Sequence, residues 1–350
     1  MITKEQLEKI IQESVNAPSG DNAQPWRFLV HDNVVDIFNV ERDQTIFNFR
    51  SRGDYIAHGA LIENMGIVGA EYGLRPGIKL FPEGVGKGPT ARMSFEEGDI
   101  EKDPLYEVLG KRATNRKPYK KKPLTEDQKK AFAAFNGGYG TARVVVVDDR
   151  EKIDRIAHSV NLNERLILEN KTIRDFLFSI IRWTKKEEQK KPGMHIRTLE
   201  LAPPQRLAFR MFKNDAVVGV AKKLNFPKMM EKEGAQLYSA SGAIGAIVMD
   251  DSAPEDFMQA GRLFERVWLT ATATGFSMQP LAAIPYLAQR IKEGSAEGMT
   301  KEQADDVLSA EKRIREALGI SDRNMIAMLF RMGEGSEPSA YAAKLVPEVK

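Results

Sequence analysis

Cysteine is missing from all 350 residues. That single absence excludes disulfides, thiolate nucleophiles and thiolate metal ligands together. Histidine is scarce, and His31, His58, His158 and His195 are too scattered to form a short-range ligand pair, so no metal site is expected. No segment approaches about 18 uninterrupted apolar residues, which leaves a membrane-spanning helix unsupported. The opening stretch MITKEQLEKIIQESV has no apolar core of the kind a secretory signal needs, and a cytoplasmic location is the expectation. Strong net charge is absent as well. The 52 Lys and Arg stand against 49 Asp and Glu, and the basic runs KPYKKK and TKKEEQKK are followed or interrupted by acids, as on solvated faces. Neither nucleic acid nor a membrane is therefore expected as a partner.

Catalytic signatures are missing too. There is no Gly-x-Ser-x-Gly and no His-Glu-x-x-His run, and no Gly-x-Gly-x-x-Gly joins a strand to a helix. EGVGKGPT exposes glycine N–H groups but lacks a Gly-Lys-Ser/Thr ending and a following helix, so it reads as a hairpin turn. No catalytic side chain is expected, and chemistry borrowed from a cofactor is favoured.

What is present is an ordinary globular composition, 42% hydrophobic and 29% charged, with length for about two domains or one duplicated domain. Leu7, Ile10, Ile11 and Val15 share a helical face after the candidate N-cap Thr3. A hairpin-like HDN turn divides WRFLVHDNVVDIFNV, and YIAHGALIENMGIVGAEYGL reads as a long apolar helix closed by Gly73. GIKLFPEG and TARMSFEEG follow as short strands. From about Asp103 the pattern starts again, with strand ARVVVVDD, a helical stretch to about residue 235, strand SGAIGAIVMDD, a second long helix ending at Gly275, and strand DRNMIAMLFRMGEG before an extended tail. GALIENMGIVGAEYGL aligns without gaps on GRLFERVWLTATATGF, pairing Gly59 with Gly261, Leu61 with Leu263, Glu63 with Glu265 and Gly73 with Gly275. An internal duplication, packed as a pseudo-dimer, is one reading of that match; chance recurrence of common residues is the other.

Two short stretches carry the functional signal. In KRATNRKPY, Arg112, Thr114 and Arg116 alternate, so an extended segment points them to one side, where two guanidiniums and a hydroxyl suit a phosphate; an exposed basic loop is the plainer alternative. In NAPSGDNAQPW, Ser19, Asn22 and Gln24 offer uncharged donors and acceptors on a loop stiffened by Pro18 and Pro25, which suits a polyol or a heteroaromatic edge; the plainer alternative is an Asx-type turn anchored by Trp26.

APSGDNAQPWRFLV resembles the A-P-S-x-x-N-x-Q-P-W-x-F loop of the nitroreductase-like flavoproteins, and RATNRKPY resembles their R-x-S-x-R/K-x-F phosphate segment, here in reversed order. The resemblance implies an α+β nitroreductase-like fold in which two units, residues 1–102 and 103–350, form an internal pseudo-dimer holding one complete FMN site. Arg112, Thr114 and Arg116 would take the phosphate. Pro18, Ser19, Asn22 and Gln24 would reach the ribityl chain and ring, with Gly20 standing where many relatives have a second serine. GFSMQPLAA matches the family's turn after the buried helix and makes Met278, Gln279 and Pro280 candidates; the C-terminal element adds Lys344 and Arg331. A helical insertion at about 160–230 has counterparts in fused relatives as a lid, and its Phe176, Phe178, Trp183, Phe209 and Phe212 are candidates to cover the ring; an insertion that only packs on itself is the equal alternative. The implied activity is NAD(P)H-dependent reduction of nitroaromatic, quinone or similar acceptors, by a monomer or homodimer. Flavin storage under a closed lid is the alternative, and loss of flavin binding a weaker third.

Overall fold

The structure is a computed structural model that describes residues 2–42 and 46–350. Helix α1 (Lys4–Ser14) opens on a capping box in which the Thr3 hydroxyl accepts from the Gln6 N–H and the Gln6 side chain accepts from the Thr3 N–H. Strands β1 (Trp26–His31) and β2 (Val34–Asn39) pair as an antiparallel hairpin, followed by the long helix α2 (Arg52–Glu71). Gly73, at φ +70°, turns the chain into β3 (Leu74–Leu80), which pairs antiparallel with β4 (Ala91–Glu97) across the EGVGKGPT turn. The first sheet has the order β1-β2-β4-β3.

The second part begins with α3 (Glu126–Ala133) and β5 (Arg143–Val147). Between β5 and the next long strand lie α4 (Arg150–Val160), α5 (Leu162–Glu169), α6 (Lys171–Ile180), β6 (Ile181–Arg182), α7 (Lys185–Glu188), β7 (Met194–His195), α8 (Pro203–Met211), α9 (Asp215–Lys223) and α10 (Phe226–Ser239). The chain then returns through β8 (Ala243–Met249), the long helix α11 (Pro254–Ala273), β9 (Ser277–Pro280), α12 (Ala283–Lys292), α13 (Lys301–Leu318) and β10 (Met325–Gly333). The helical stretch between β5 and β8 is wider than residues 160–230, because α4 and α10 also belong to it.

The second sheet has the order β5-β8-β10-β9. Counted within each part, both sheets run first, second, fourth, third strand, and in both the long helix joins the second strand to the third. Where the first sheet has a two-residue turn at Asp32 and Asn33, the second carries the insertion.

The long helices α2 and α11 touch backbone to backbone at two glycines. A Cβ built on Gly59 would lie 2.0 Å from the Met258 carbonyl oxygen, and one on Gly261 would lie 2.1 Å from that of Ile56. Shifting 56 and 59 by 202 gives 258 and 261, so the contacts are reciprocal, as across a twofold axis. Around this seam, Leu61, Met65, Met258 and Leu269 join one apolar core, and Ile56, Leu263, Val267 and Trp268 another.

The tail crosses back to the first sheet. Phe28 N–H donates to the Glu348 carbonyl (2.9 Å), Val30 N–H to that of Lys350 (3.0 Å), and Lys350 N–H to that of Phe28 (3.1 Å), so the tail covers the otherwise open edge of β1.

Candidate functional site

The loop between α1 and β1 is held in an unusual backbone conformation. Asp21, Asn22 and Gln24 all have φ between 50° and 58°, a left-handed region costly for most residues and best tolerated by Asn and Asp. Three restraints over-determine it. The Ser19 hydroxyl accepts from the Gln24 N–H (3.0 Å), and the Gln24 side-chain oxygen accepts from the Leu345 N–H (2.8 Å). Asn22 donates to the carbonyls of Gly193 (3.0 Å) and Ala343 (2.9 Å) while accepting from the Lys344 ammonium (3.0 Å). Beneath the loop, the fully buried His58 lies 2.7 Å from the Pro25 carbonyl through Nε2 and 2.6 Å from the Thr90 hydroxyl through Nδ1. Burial pushes its pKa down to about 4, so the neutral ring donates from Nε2 to Pro25.

The segment 112–116 lies along the edge strand of the second sheet. Asn115 N–H donates to the Met278 carbonyl (3.0 Å), and Thr114 and Met278 form a parallel bridge. The Asn115 amide fixes the segment further through the Ser277 hydroxyl (2.9 Å) and the Ser336 carbonyl (2.7 Å). Register against β9 thus aims Arg112, Thr114 and Arg116 at the loop of the first part.

A cavity of about 450 Å³ lies where the two meet, within the range of small-molecule sites. Pro18, Ser19 and Asn22 from the loop, and Arg112, Thr114 and Arg116 from the segment, share its wall with Pro280 and Lys344. Gly20 and Asp21 line it as well. Its apolar side includes Phe47, Ile56, Phe176, Leu177, Tyr286 and Met328. Gln24, Met278, Gln279 and Arg331 lie outside the wall. Gln24 binds the tail, and Met278 contributes its backbone to the arginine segment. Gln279 accepts from the fully buried Arg331 (2.8 Å), whose guanidinium also donates to the Lys117 carbonyl (2.8 Å) and stacks 4.1 Å over the Tyr119 ring. Arg331 is therefore a buried strut beside the site.

Of the five insertion aromatics expected to cover a ring, Phe176 reaches the wall, and it also meets Phe47 at 5.5 Å. Phe178, Trp183 and Phe209 instead pack on one another at 4.8 to 6.4 Å, and Phe212 packs on Phe226. They cover the insertion's own interior because helices without a buried face of their own need one another.

The electrostatics are lopsided. Arg112 lies 4.4 Å over the Trp268 ring, donates to the Asn16 carbonyl, and has its Nε 3.2 Å from the Glu265 carboxylate without an aligned hydrogen bond. Arg116 donates to the Thr198 carbonyl (3.0 Å) and to the Met194 sulfur (3.3 Å), and no carboxylate pairs with it among the described residues. Desolvation holds both guanidiniums below their usual pKa. Lys344 is only partly buried by area, yet desolvation, assisted by the Arg112 charge, pushes its ammonium down to about 7. Burial raises the Glu265 carboxyl to about 7 against the pull of Arg112. Arg112, Arg116 and Lys344 thus line a wall that also holds Asp21 and Asp54, with the reluctant Glu265 beside Arg112; the three cations fit a multiply charged oxyanion such as a phosphate monoester, while the apolar side fits a flat ring. No group of His, Cys, Asp and Glu suited to a metal occurs among the described residues.

Sequence reasoning missed Glu265 as the partner of Arg112, His58 as the loop's support, and the Met194 and Thr198 contacts to Arg116. The glutamate was visible only as half of a repeat; the others depend on contacts 33 to 82 residues apart.

No family model matches the chain. It is 26% identical over 285 residues to an uncharacterized protein of Mycobacterium tuberculosis, covering 79% of this chain and 39% of that protein. It is 24% identical over 217 residues to the protein of the same organism named "Putative NAD(P)H nitroreductase acg", covering 60% and 63%. The chain therefore spans well under two thirds of the first relative and just under two thirds of the second. Among solved structures it overlaps a nitroreductase with bound FMN from Bacteroides fragilis (TM-score 0.38, 10% identity, 69% of this chain and 94% of that one). It also overlaps the FMN-dependent nitroreductase NfnB of Mycobacterium smegmatis in complex with NADPH (TM-score 0.37, 12% identity, 66% and 88%). The chain has an α+β fold of antiparallel sheets and helices, and its sequence is similar to that of a protein named "Putative NAD(P)H nitroreductase acg".

Proposed function

We propose that the chain binds FMN in this cavity and acts as an NAD(P)H-dependent oxidoreductase of the nitroreductase type, with a nitroaromatic, quinone or similar acceptor. One observation carries the reading: the Pro18–Asn22 loop and the Arg112–Arg116 segment, about 90 residues apart and from different parts of the fold, line the same cavity. Arg112, Arg116 and Lys344 would hold the phosphate, with Thr114 as a neutral donor. The Pro18–Asn22 loop would face the polyol, and Ile56, Phe176, Tyr286 and Met328 would exclude water from the ring. Bound FMN supplies two-electron chemistry, accepting hydride from NAD(P)H and reducing the acceptor.

The pseudo-dimer is part of the proposal, with units 1–102 and 103–350, whether the chain is monomeric or dimeric. What supports it is the shared strand order, the reciprocal glycine contacts at an offset of 202, and the tail of the second part completing the edge of the first.

A second reading, flavin storage, is favoured by one observation: the insertion and the tail both contribute to the wall, through Phe176, Leu177 and Ile180 on one side and Ala340, Tyr341 and Lys344 on the other. Fluorescence titration with FMN followed by anaerobic mixing with NADPH separates the readings. Binding with bleaching of the flavin supports the oxidoreductase, and binding without bleaching favours storage. Absence of binding overturns both. Arg112→Ala is expected to weaken FMN by roughly 1.5 to 3 kcal/mol, through lost charge-assisted contacts.

A further inference from the structure

The insertion presents a second surface, away from the cavity wall. Helix α8 buries none of its own residues, and the helices after it keep large apolar side chains in solvent: Leu207 is 65% exposed, Met211 52%, Val220 58%, Leu224 75% and Met229 48%. Leu207 and Met211 are four residues apart on α8, as Val220 and Leu224 are across the end of α9, so each pair forms a ridge on one helical face. The ridges are mounted rather than loose: Phe209 packs on Phe178 and Trp183, and Phe212 packs on Phe226 at the start of α10.

Charge decides what such a surface fits. Residues 203–232 contain seven Lys and Arg against two acids. Both acids are already engaged inside the insertion, Asp215 by Arg174 and Glu231 by Arg165. The Lys213 ammonium and the Arg210 guanidinium lie over the Trp183 ring, at 4.6 and 5.6 Å from its centroid, so both charges sit on the aromatic platform that carries α8. A second copy of this chain would bring the same excess of positive charge against itself. Exposed pairs of large apolar groups on consecutive helices that also carry an excess of cations match instead a deformable, negatively charged surface, in which apolar side chains enter the acyl boundary and Lys and Arg remain among the headgroups.

We propose that α8, α9 and the start of α10 dock the protein peripherally on an anionic lipid surface. The docking is independent of the cofactor assignment and involves no spanning segment. No helix among the described residues is long and apolar enough to cross a membrane.

The test is co-sedimentation of the full chain with phosphatidylcholine vesicles containing about one third phosphatidylserine, against pure phosphatidylcholine vesicles, at low and at high salt. Binding to the anionic vesicles alone, lost at high salt, is the expected result, since ionic screening acts on exposed charges. Leu207→Ser combined with Leu224→Ser should lower vesicle affinity at least about tenfold. Both positions are exposed, and an unchanged circular dichroism spectrum and thermal midpoint confirm the fold. Equal binding to neutral vesicles, or unchanged binding by the double variant, overturns the proposal. So does failure to bind at low salt, whether the face is then covered by a second copy, seen as a dimer dissociated by Leu224→Ser, or by an acidic amphipathic peptide that binds where vesicles do not.

Discussion

Glu63 and Glu265 occupy corresponding positions on the two long helices, and both are buried. Their surroundings differ. Glu63 is closed in by Arg262 (3.1 Å) and Arg266 (2.7 Å through Nε), with Arg266 also bound to Asp103 and the Tyr139 hydroxyl 3.4 Å from the carboxylate. Burial and the neighbouring Glu63 charge raise the Tyr139 phenol to about 12, so it stays a neutral donor. Glu265 has Arg112 beside it and two oxygens without an aligned hydrogen bond, and it is Arg112 that lines the cavity. The same backbone position thus yields a satisfied ion-pair network on one side and an unfinished one on the other. An unfinished set of buried charges is a cost to the fold unless a ligand completes it.

The largest expected effect breaks that comparison directly. Glu63→Gln leaves Arg262 and Arg266 without their shared carboxylate and is expected to cost about 3 to 5 kcal/mol in urea unfolding at pH 8. Glu265→Gln, measured alongside at the same pH, should be neutral or stabilising, because the carboxylate it removes is poorly bonded and disfavoured by burial. Equal losses would mean that the two sites are equally complete.

The helix seam should behave in the opposite way, alike on both sides. Gly59→Ala and Gly261→Ala each force a methyl into a facing carbonyl, where neither backbone can yield without moving the helices apart. Each is expected to cost about 1 to 3 kcal/mol, within about 1 kcal/mol of the other. Unfolding midpoints that separate widely would remove the reciprocal packing as an argument for a pseudo-dimer.

Periodicity made the elements legible. The capped first helix, the hairpin at Asp32, and both long helices with their terminal glycines fall where apolar spacing and turn residues put them, because local preference and tertiary packing agree there. The arginine segment and the loop were legible as chemistry but not as geometry. Alternation placed Arg112, Thr114 and Arg116 on one side, whereas the register that aims them depends on Met278, more than 160 residues later. Gln24 and Asn22 read as ligand groups, yet their hydrogen bonds go to the tail and to the insertion as well, since a loop with three left-handed residues needs fastening.

The smallest effect is a pH dependence that sharpens the contrast between the two glutamates. The Glu265 carboxyl is raised from 4.5 to about 7, so the folded state holds its proton more tightly than the unfolded state, and its destabilisation grows as pH rises from about 4.5 to 7. The Lys344 ammonium is lowered from 10.5 to about 7, so its destabilisation is present in full below about 7 and is relieved as pH rises towards 10.5. Without ligand, the two costs overlap near neutrality. Relative to the parent protein, Glu265→Gln should therefore gain stability progressively between about pH 4.5 and 7. Lys344→Met should carry a fixed loss from its bonds to the Ala17 carbonyl and Asn22, and a gain that fades above pH 7. Unfolding midpoints for the three proteins across pH 5 to 10 check this, and an FMN-saturated series should flatten the Lys344 difference, because a bound dianion returns the ammonium towards its ordinary range. Parallel curves for all three proteins would show that these groups titrate alike in the folded and unfolded chain, leaving no electrostatic reason for Glu265, Arg112 and Lys344 to await a ligand.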